Sequence, residues 1–146
     1  MLKQRFGVAT LVVAAFVAGF GVHGLMVPVS VSAQSPRVFE IRTYTSPDAT
    51  KLQALHARFR NHTMRIFQRH GMTSVGYFAP QDAPLSQNTL IYVISHASRE
   101  QAKKNWDEFR ADPEWQKVAA DSNVNGNIVT KVDSVFADAT DYSPLK

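Results

Sequence analysis

The chain of 146 residues contains no cysteine, and that absence removes several kinds of chemistry at once. Disulfide bonds, a thiol nucleophile and cysteine-ligated metal sites are all excluded. A lipid anchor attached to cysteine is excluded for the same reason. Any catalytic or metal site must therefore be built from histidine, carboxylate, hydroxyl, amide or arginine side chains.

Acidic and basic residues are also missing from the segment 6–27, where His23 is the only ionisable side chain. Lys3 and Arg5 precede this apolar run, and Val31-Ser32-Ala33 follows it with small residues. A positive start, an apolar core and a small-x-Ala end are together typical of a secretory signal peptide.

We therefore predict a signal peptide over residues 1–33, cleaved after Ala33, and a single domain over residues 34–146. The apolar run is long enough to span a bilayer, so an uncleaved membrane anchor through residues 6–27 is the alternative. Cleavage predicts a periplasmic or secreted protein, whereas the anchor predicts a membrane-attached one.

The remaining charges are nearly balanced. Without Lys3 and Arg5, the 16 basic residues become 14, against 12 acidic ones. Many of the basic residues, among them Arg58, are spread along one predicted helix, where a solvated face is the expected arrangement. No single basic patch stands out, so we predict no nucleic-acid partner.

The recognisable catalytic and metal motifs are missing as well. The chain has no Gly-rich phosphate loop, no Gly-x-Ser-x-Gly turn and no His-Glu-x-x-His pattern. His56 and His70 point the same way on one predicted helix but lie about 21 Å apart, and His62 is turned away. We therefore predict no metal site, with His62 in the core and His70 near the carbonyls of its helix end. His96, at a strand end, is the histidine that we would test.

Turn signals divide the domain into alternating strands and helices. Alternating or continuous apolar patterns predict strands over residues 37–45, 72–79, 89–96 and 127–137. Gly76 lies inside the second strand, which indicates a bulge or the close approach of another group.

Two helical segments lie between these strands. The first begins at Ser46-Pro47-Asp48, with Ser46 as a possible cap, and ends at His70-Gly71. The second begins with the capping box Ser98-Arg99-Glu100-Gln101 and breaks at Asp112-Pro113, which can start another short helix. Trp106 and Trp115 are predicted core residues. The order β-α-β-β-α-β predicts an α+β, ferredoxin-like fold with an antiparallel sheet.

The first strand carries two different faces. Phe39, Ile41 and Thr43 form an apolar face that we expect a helix to cover. Glu40, Arg42 and Tyr44 form the opposite face, which could line a pocket or hold a self-neutralising Glu–Arg pair at an interface.

The third predicted strand is apolar on both faces, from Leu90 to Ile94. Two helices can cover only one face of a four-stranded sheet, so another body must cover the second. The simplest candidate is a second copy of the chain, and we predict a homodimer whose sheets meet face to face. Aspartate at whichever of Tyr92 and Val93 lies on the second face should then give monomers.

Four short motifs resemble those of the NIPSNAP-domain family. They occur in the family order and cover about residues 38–136: Phe39-Glu40-Ile41-Arg42-Thr43-Tyr44, Arg69-His70-Gly71, Val75-Gly76-Tyr77 and Asp112-Pro113-Glu114-Trp115. The resemblance implies membership of the dimeric α/β-barrel superfamily, which includes cofactor-free monooxygenases and haem-degrading enzymes.

Two classes of function follow from the residues and the resemblance together. The first is an exported, homodimeric binding or interaction module. The second is a small cofactor-poor oxidoreductase, monooxygenase-like or haem-interacting, acting on an aromatic molecule between sheet and helices. No cofactor is expected, with haem as the lesser alternative, and no catalytic residue is assigned. In either class the candidate pocket residues are Glu40, Arg42, Tyr44, Tyr77, Tyr92 and His96.

Overall fold

The computed structural model of the chain describes residues 37–145, so the predicted signal peptide or anchor lies outside the described residues. Four strands, β1 to β4, span Val38–Thr45, Thr73–Phe78, Thr89–His96 and Lys131–Asp138. Four α-helices, α1 to α4, span Ala49–Arg58, Met64–Arg69, Arg99–Ala111 and Pro113–Ser122. A π-helical turn at Phe59–Thr63 joins α1 to α2.

The strands form one antiparallel sheet in the order β2-β3-β1-β4. This is the strand order of a split β-α-β unit, so the predicted ferredoxin-like α+β fold is confirmed. The predicted strand bounds hold within one residue for β1 to β3. β4 begins at Lys131, four residues later than predicted, because two hydrogen bonds, one with Ser46 Oγ and one with Asn123 Oδ1, hold the backbone of Ile128 outside the sheet.

The Ser46 hydroxyl donates to the carbonyl of Ile128, and the N–H of Ile128 donates to the side-chain oxygen of Asn123. Ser46 is therefore not the helix cap that its position suggested. Asp48 caps α1 instead, its carboxylate accepting from the N–H of Lys51 at 2.8 Å. An aspartate one residue before the first helical position also suits the positive end of the helix dipole.

The other predicted helix boundaries are confirmed. Ser98 caps α3 by accepting from the N–H of Gln101 at 3.0 Å. Gly71 follows α2 with φ of +72°, the left-handed conformation that favours glycine at a helix end. Asp112 ends α3 and caps α4, and Pro113 occupies the first turn of α4.

Gly76 has both of the features that the sequence predicted. The register between β2 and β3 shifts between Ser74 and Gly76, which is a β-bulge. The Phe78 ring also lies against Gly76, so close that a Cβ at position 76 would be 2.6 Å from Phe78 Cζ. Glycine therefore lets this ring lie along the sheet.

All the helices lie on one side of the sheet, and their apolar stripe packs on the even-numbered residues of β1 and β3. Leu90, Tyr92 and Ile94 belong to this core. The helix residues in the same cluster are Leu52, Leu55, Phe59, Ile66, Phe67 and Phe109. The two tryptophans pack against it as partly buried residues, as predicted.

This packing reverses the face assignment made from the sequence. The helices cover the face of Glu40, Arg42 and Tyr44, whereas Ile41 and Thr43 point to the other side. Polarity misled the prediction because the charged side chains of β1 are neutralised within the fold, as described below.

Within residues 37–145, the second side of the sheet is uncovered over most of its area. We call it the open face, and the paired positions of the four strands place several apolar residues there, among them Ile41, Phe78, Ile91, Val93 and Val135. Ile41 is 39% exposed, Phe78 54% and Val135 61%. Phe39, at one end of this side, is buried. Within residues 37–145, no helix is both long and apolar enough to cross a membrane.

Candidate functional site

The carboxylate of Glu40 is the centre of a buried polar network beneath the helices. Its Oε1 atom accepts from Arg42 Nη1 at 2.5 Å and from Ser134 Oγ at 2.7 Å. Its Oε2 atom accepts from Trp106 Nε1 at 2.7 Å and from His96 Nε2 at 3.1 Å. Four donors from β1, β4, α3 and β3 therefore meet on one carboxylate.

These donors keep Glu40 ionised. Burial alone would raise its pKa, but hydrogen bonds from His96, Ser134, Trp106 and Arg42 outweigh burial and lower the pKa to about 2. Arg42 is held in its charged form as well. Burial opposes its charge, yet the nearby Tyr44, Tyr92 and Glu40 together raise the pKa of Arg42 above its usual value.

His96 is fixed between Glu40 and α3. The Nε2 atom faces the ionised carboxylate and so carries the hydrogen, while Nδ1 accepts from Asn105 Nδ2 at 3.3 Å. Asn105 also donates to the carbonyl of Gly71 and accepts from Gln101. The result is a chain of hydrogen bonds from Gln101 through Asn105 and His96 to Glu40, with the His96 side chain wholly buried.

Arg42 lies at the less buried edge of this network. Its guanidinium carbon stands 4.3 Å from the centre of the Trp106 ring and 5.5 Å from that of Tyr44. These are cation–π distances. The Arg42 Nε atom is buried and has no hydrogen-bond partner among the described residues.

The three tyrosines of the predicted site pack together beside Arg42. Tyr92 lies 5.2 Å from Tyr44 in an edge contact and 5.9 Å from Tyr77 in a stacked one, measured between ring centres. Burial raises the pKa of Tyr92 well above its usual value, and within residues 37–145 its hydroxyl has no hydrogen-bond partner. The Tyr77 hydroxyl, in contrast, is hydrogen-bonded to Ser74 Oγ at 2.7 Å.

The structure thus brings all six predicted site residues to one side of the sheet. The Glu40–Arg42 pair neutralises itself there, beneath the chain's own helices. Glu40 and His96 have every side-chain polar atom engaged. Arg42 Nε and the Tyr92 hydroxyl are the groups with hydrogen-bonding capacity to spare.

A second polar cluster joins two of the motifs named above. The Oδ2 atom of Asp112 accepts from Arg69 Nη2 at 2.5 Å and contacts His70 Nε2 at 2.6 Å. Its Oδ1 atom caps α4 by accepting from the N–H groups of Glu114 and Trp115. His70 therefore binds a carboxylate and not the helix-end carbonyls that we expected, because the α3–α4 junction brings Asp112 within its reach.

Within residues 37–145, no group of three or more histidine and acidic side chains is placed to hold a metal ion. His62, which we expected in the core, is exposed beside the π-helical turn and lines a groove between α1 and α4.

Arg58 is another residue whose predicted position was wrong. It was assigned to a solvated face, but only 8% of it is exposed. The signal was available in its spacing, since Arg58 follows Leu52 and Leu55 at the helical interval of the buried stripe. The prediction gave more weight to the charge of Arg58 than to its position in the buried stripe of the helix.

A four-stranded antiparallel sheet, covered on one side by helices that enclose a carboxylate–histidine–arginine network, defines this chain as a ferredoxin-like α+β domain. The sequence profile of the NIPSNAP family matches residues 39–144. The chain therefore belongs to the NIPSNAP family.

Solved structures show the same fold. A NIPSNAP family protein of unknown function from Agrobacterium tumefaciens is 20% identical, with a TM-score of 0.66, over 77% of this chain and 96% of that one. A NIPSNAP-like domain protein from Burkholderia xenovorans is 18% identical, with a TM-score of 0.64, over 75% and 90%.

A more distant likeness is to a monooxygenase from Streptomyces coelicolor, solved in complex with nanaomycin D. It is 13% identical, with a TM-score of 0.54, over 77% of this chain and 95% of that one. At these identities the likeness concerns the fold. No curated protein sequence matches this chain.

Proposed function

We propose that this protein is a homodimeric binding domain in which the open face pairs with the same face of a second copy. The observation that carries this proposal is the exposed apolar surface of Ile41, Phe78 and Val135, which lie on one side of the sheet from edge strand β2 to edge strand β4. Soluble monomers rarely expose continuous apolar patches of this kind unless the patch is an interaction site.

The charges of the open face favour a second copy as the partner. The charged residues that the strands place on it are Lys131 and Asp133, which pair with each other at 2.7 Å near one edge. Two such faces can meet around a two-fold axis without bringing like charges together. A two-fold interface is also the commonest solution for soluble homo-oligomers.

The test is the mass of the protein in solution. Val93 is the residue that lies on the open face, while Tyr92 is in the core, so Val93→Asp and Val135→Asp should convert dimers to monomers. Leu85→Asp is the matched control, because Leu85 is an exposed apolar residue in a short 3-10 turn between β2 and β3, outside the strands of the sheet. Light scattering after size exclusion should report dimers for the wild type and for Leu85→Asp. A monomeric wild type at high micromolar concentration would refute the proposal.

We also propose that the domain acts outside the cytoplasm, after export. The support is the signal-peptide pattern of residues 1–33. Expression of the full chain in a bacterial host with N-terminal sequencing tests this, since cleavage should leave Gln34 as the first residue. A product that remains in the membrane with Met1 or Leu2 at its N-terminus would instead favour the anchor.

A cofactor-poor oxidoreductase is the second candidate function. It is favoured by the free hydroxyl of Tyr92 and the free Nε atom of Arg42, which lie beside a fixed Glu40–His96 pair. Such unpaired polar groups inside a fold are candidates for contact with a substrate. The shared fold of the Streptomyces coelicolor monooxygenase is compatible with this function.

The haem version of this candidate has weaker support, because both ring nitrogens of His96 are already hydrogen-bonded. Absorbance spectra with added haem test it: a Soret shift in the wild type that His96→Ala removes would support a haem site. Oxygen consumption with quinol substrates tests the cofactor-free version, and loss of that activity in Tyr92→Phe would support it.

A further inference from the structure

A groove lies between α1 and α4, on the helical side of the domain and away from the open face. Its volume is about 720 Å³, within the range of small-molecule sites. Small and apolar side chains form much of its wall, among them Ala54, Ala57, Val118 and Ile128. Lys51, Asn61, His62 and Lys117 also line it.

Arg58 lines this groove as a buried cation without an acidic partner. Its Nη1 atom donates to Ser122 Oγ at 3.2 Å, and its guanidinium carbon lies 5.1 Å from the centre of the Trp115 ring. Among the described residues, its Nε atom has no hydrogen-bond partner and no carboxylate forms an ion pair with it. Burial lowers the pKa of Arg58, and the nearby Tyr44 and Tyr92 offset this effect only in part.

The acidic residues of the groove are engaged elsewhere. Glu114 pairs with Arg65 and Arg69, and Asp121 pairs with Lys117 at 2.5 Å. A buried guanidinium is costly unless an anion or several acceptors compensate it. Arg58 has one acceptor, so an anion from outside the chain would complete the site.

The helix is irregular where Arg58 faces the groove. The π-helical turn begins at the next residue, Phe59, and the hydroxyl of Thr63 donates to the carbonyl of Arg58 at 3.3 Å. Asn61 and His62 of this turn line the groove. Single π-helical turns inside α-helices are rare and occur frequently at functional sites.

From these contacts we propose that the groove binds a small monocarboxylate with an apolar body, its carboxylate on the Arg58 guanidinium. One buried cation matches a single negative charge, and a planar guanidinium suits a carboxylate. The alanine and valine walls suit an aliphatic chain. The proposal names a ligand class for the binding role proposed above and rests on that role, but it does not require dimerisation.

Octanoate is the probe, and titration calorimetry is the measurement. We expect saturable binding of octanoate to the wild type, and binding at least about tenfold weaker for 1-octanol, which lacks the charge. Arg58→Met should weaken octanoate binding by about tenfold or more. Arg60→Met is the matched control, because Arg60 is an exposed arginine two residues away and should leave the affinity unchanged.

A variant that spares Arg58 keeps the test decisive if Arg58→Met does not fold. Ala57→Phe should fill the groove and abolish binding while the guanidinium remains. The proposal is overturned if the wild type does not bind octanoate saturably, or if Ala57→Phe or a folded Arg58→Met binds it as tightly as the wild type. Val93→Asp should bind octanoate normally even as a monomer. The dimer proposal and the groove proposal can therefore be refuted independently of each other.

Discussion

The indole Nε1 atom of Trp106 lies 2.7 Å from Glu40 Oε2, so one hydrogen bond ties the central strand β1 to helix α3. With the bonds from Arg42, His96 and Ser134, it makes Glu40 the point where three strands and a helix are joined. The stability of the domain should therefore depend on the charge of this one side chain.

Glu40→Gln keeps the shape of the side chain but removes that charge. It leaves Arg42 without its counter-ion and places an amide NH₂ group against donors, so we expect a loss of about 3 kcal/mol in the free energy of unfolding. Urea unfolding followed by circular dichroism measures it. Asp107→Asn is the control, because Asp107 is an exposed acid of α3 outside the network and its variant should resemble the wild type. Equal stability of the two variants would contradict the role given to Glu40.

Acid should weaken the domain through the same residue. The folded pKa of Glu40 is lowered from 4.5 to about 2, so the folded state binds this proton less readily than the unfolded state. Its contribution is complete above pH 4.5 and is lost as the pH falls from 4.5 towards 2. The free energy of unfolding of the wild type should fall more steeply in that range than that of Glu40→Gln. Parallel curves for the two proteins would contradict this prediction.

Asp112 has two functions that two substitutions can separate. Asp112→Asn keeps an oxygen that can cap α4 but loses the charge that faces Arg69 and His70. Asp112→Ala loses the cap as well. We expect both variants to be destabilised, with alanine the worse by about 1 kcal/mol. Thermal or urea unfolding measures the difference, and Asp107→Ala, at an exposed acid on α3, provides the reference for a lost surface ion pair.

Gly76 should matter more for association than for folding. In Gly76→Ala the new methyl group would collide with the Phe78 ring, which is exposed and can rotate away from the sheet. The open face would then be uneven, so we expect a dimer dissociation constant raised by about tenfold. Adding Gly76→Ala to the monomeric Val93→Asp variant should change its free energy of unfolding little. In Phe78→Ala, where no ring needs the space, alanine at position 76 should have little further effect on association.

The sequence was sufficient for the order and ends of most elements, because local signals fix them. Gly71, Ser98 and Asp112-Pro113 each end or begin a helix through their own backbone or side-chain chemistry, and all three were predicted correctly. The predicted start of β4 was wrong. The apolar alternation continues through Ile128, but hydrogen bonds from other parts of the fold hold that residue off the sheet.

Orientation could not be predicted from local signals. The face of β1 that looks polar is the one that the helices cover, because Glu40 obtains its donors from residues up to 94 positions away. Arg58 was misplaced although its helical spacing indicated burial, and its partners Ser122 and Trp115 are distant in the sequence and are brought to it only by the fold. Strand alternation and pairing nevertheless place the candidate residues on one side of the sheet, with Arg42 opposite Tyr92.

The π-helical turn gives one continuous segment two different tasks. The N–H of Met64 reaches back five residues to the carbonyl of Phe59, so the turn holds one residue more than an α-helical turn would. Residues before it line the groove beside α4, whereas Arg69 after it is bonded to the α3–α4 junction. Deleting one residue from the turn would rotate the two halves relative to each other by roughly 100°, so the chain could keep the groove or the anchored junction, but not both.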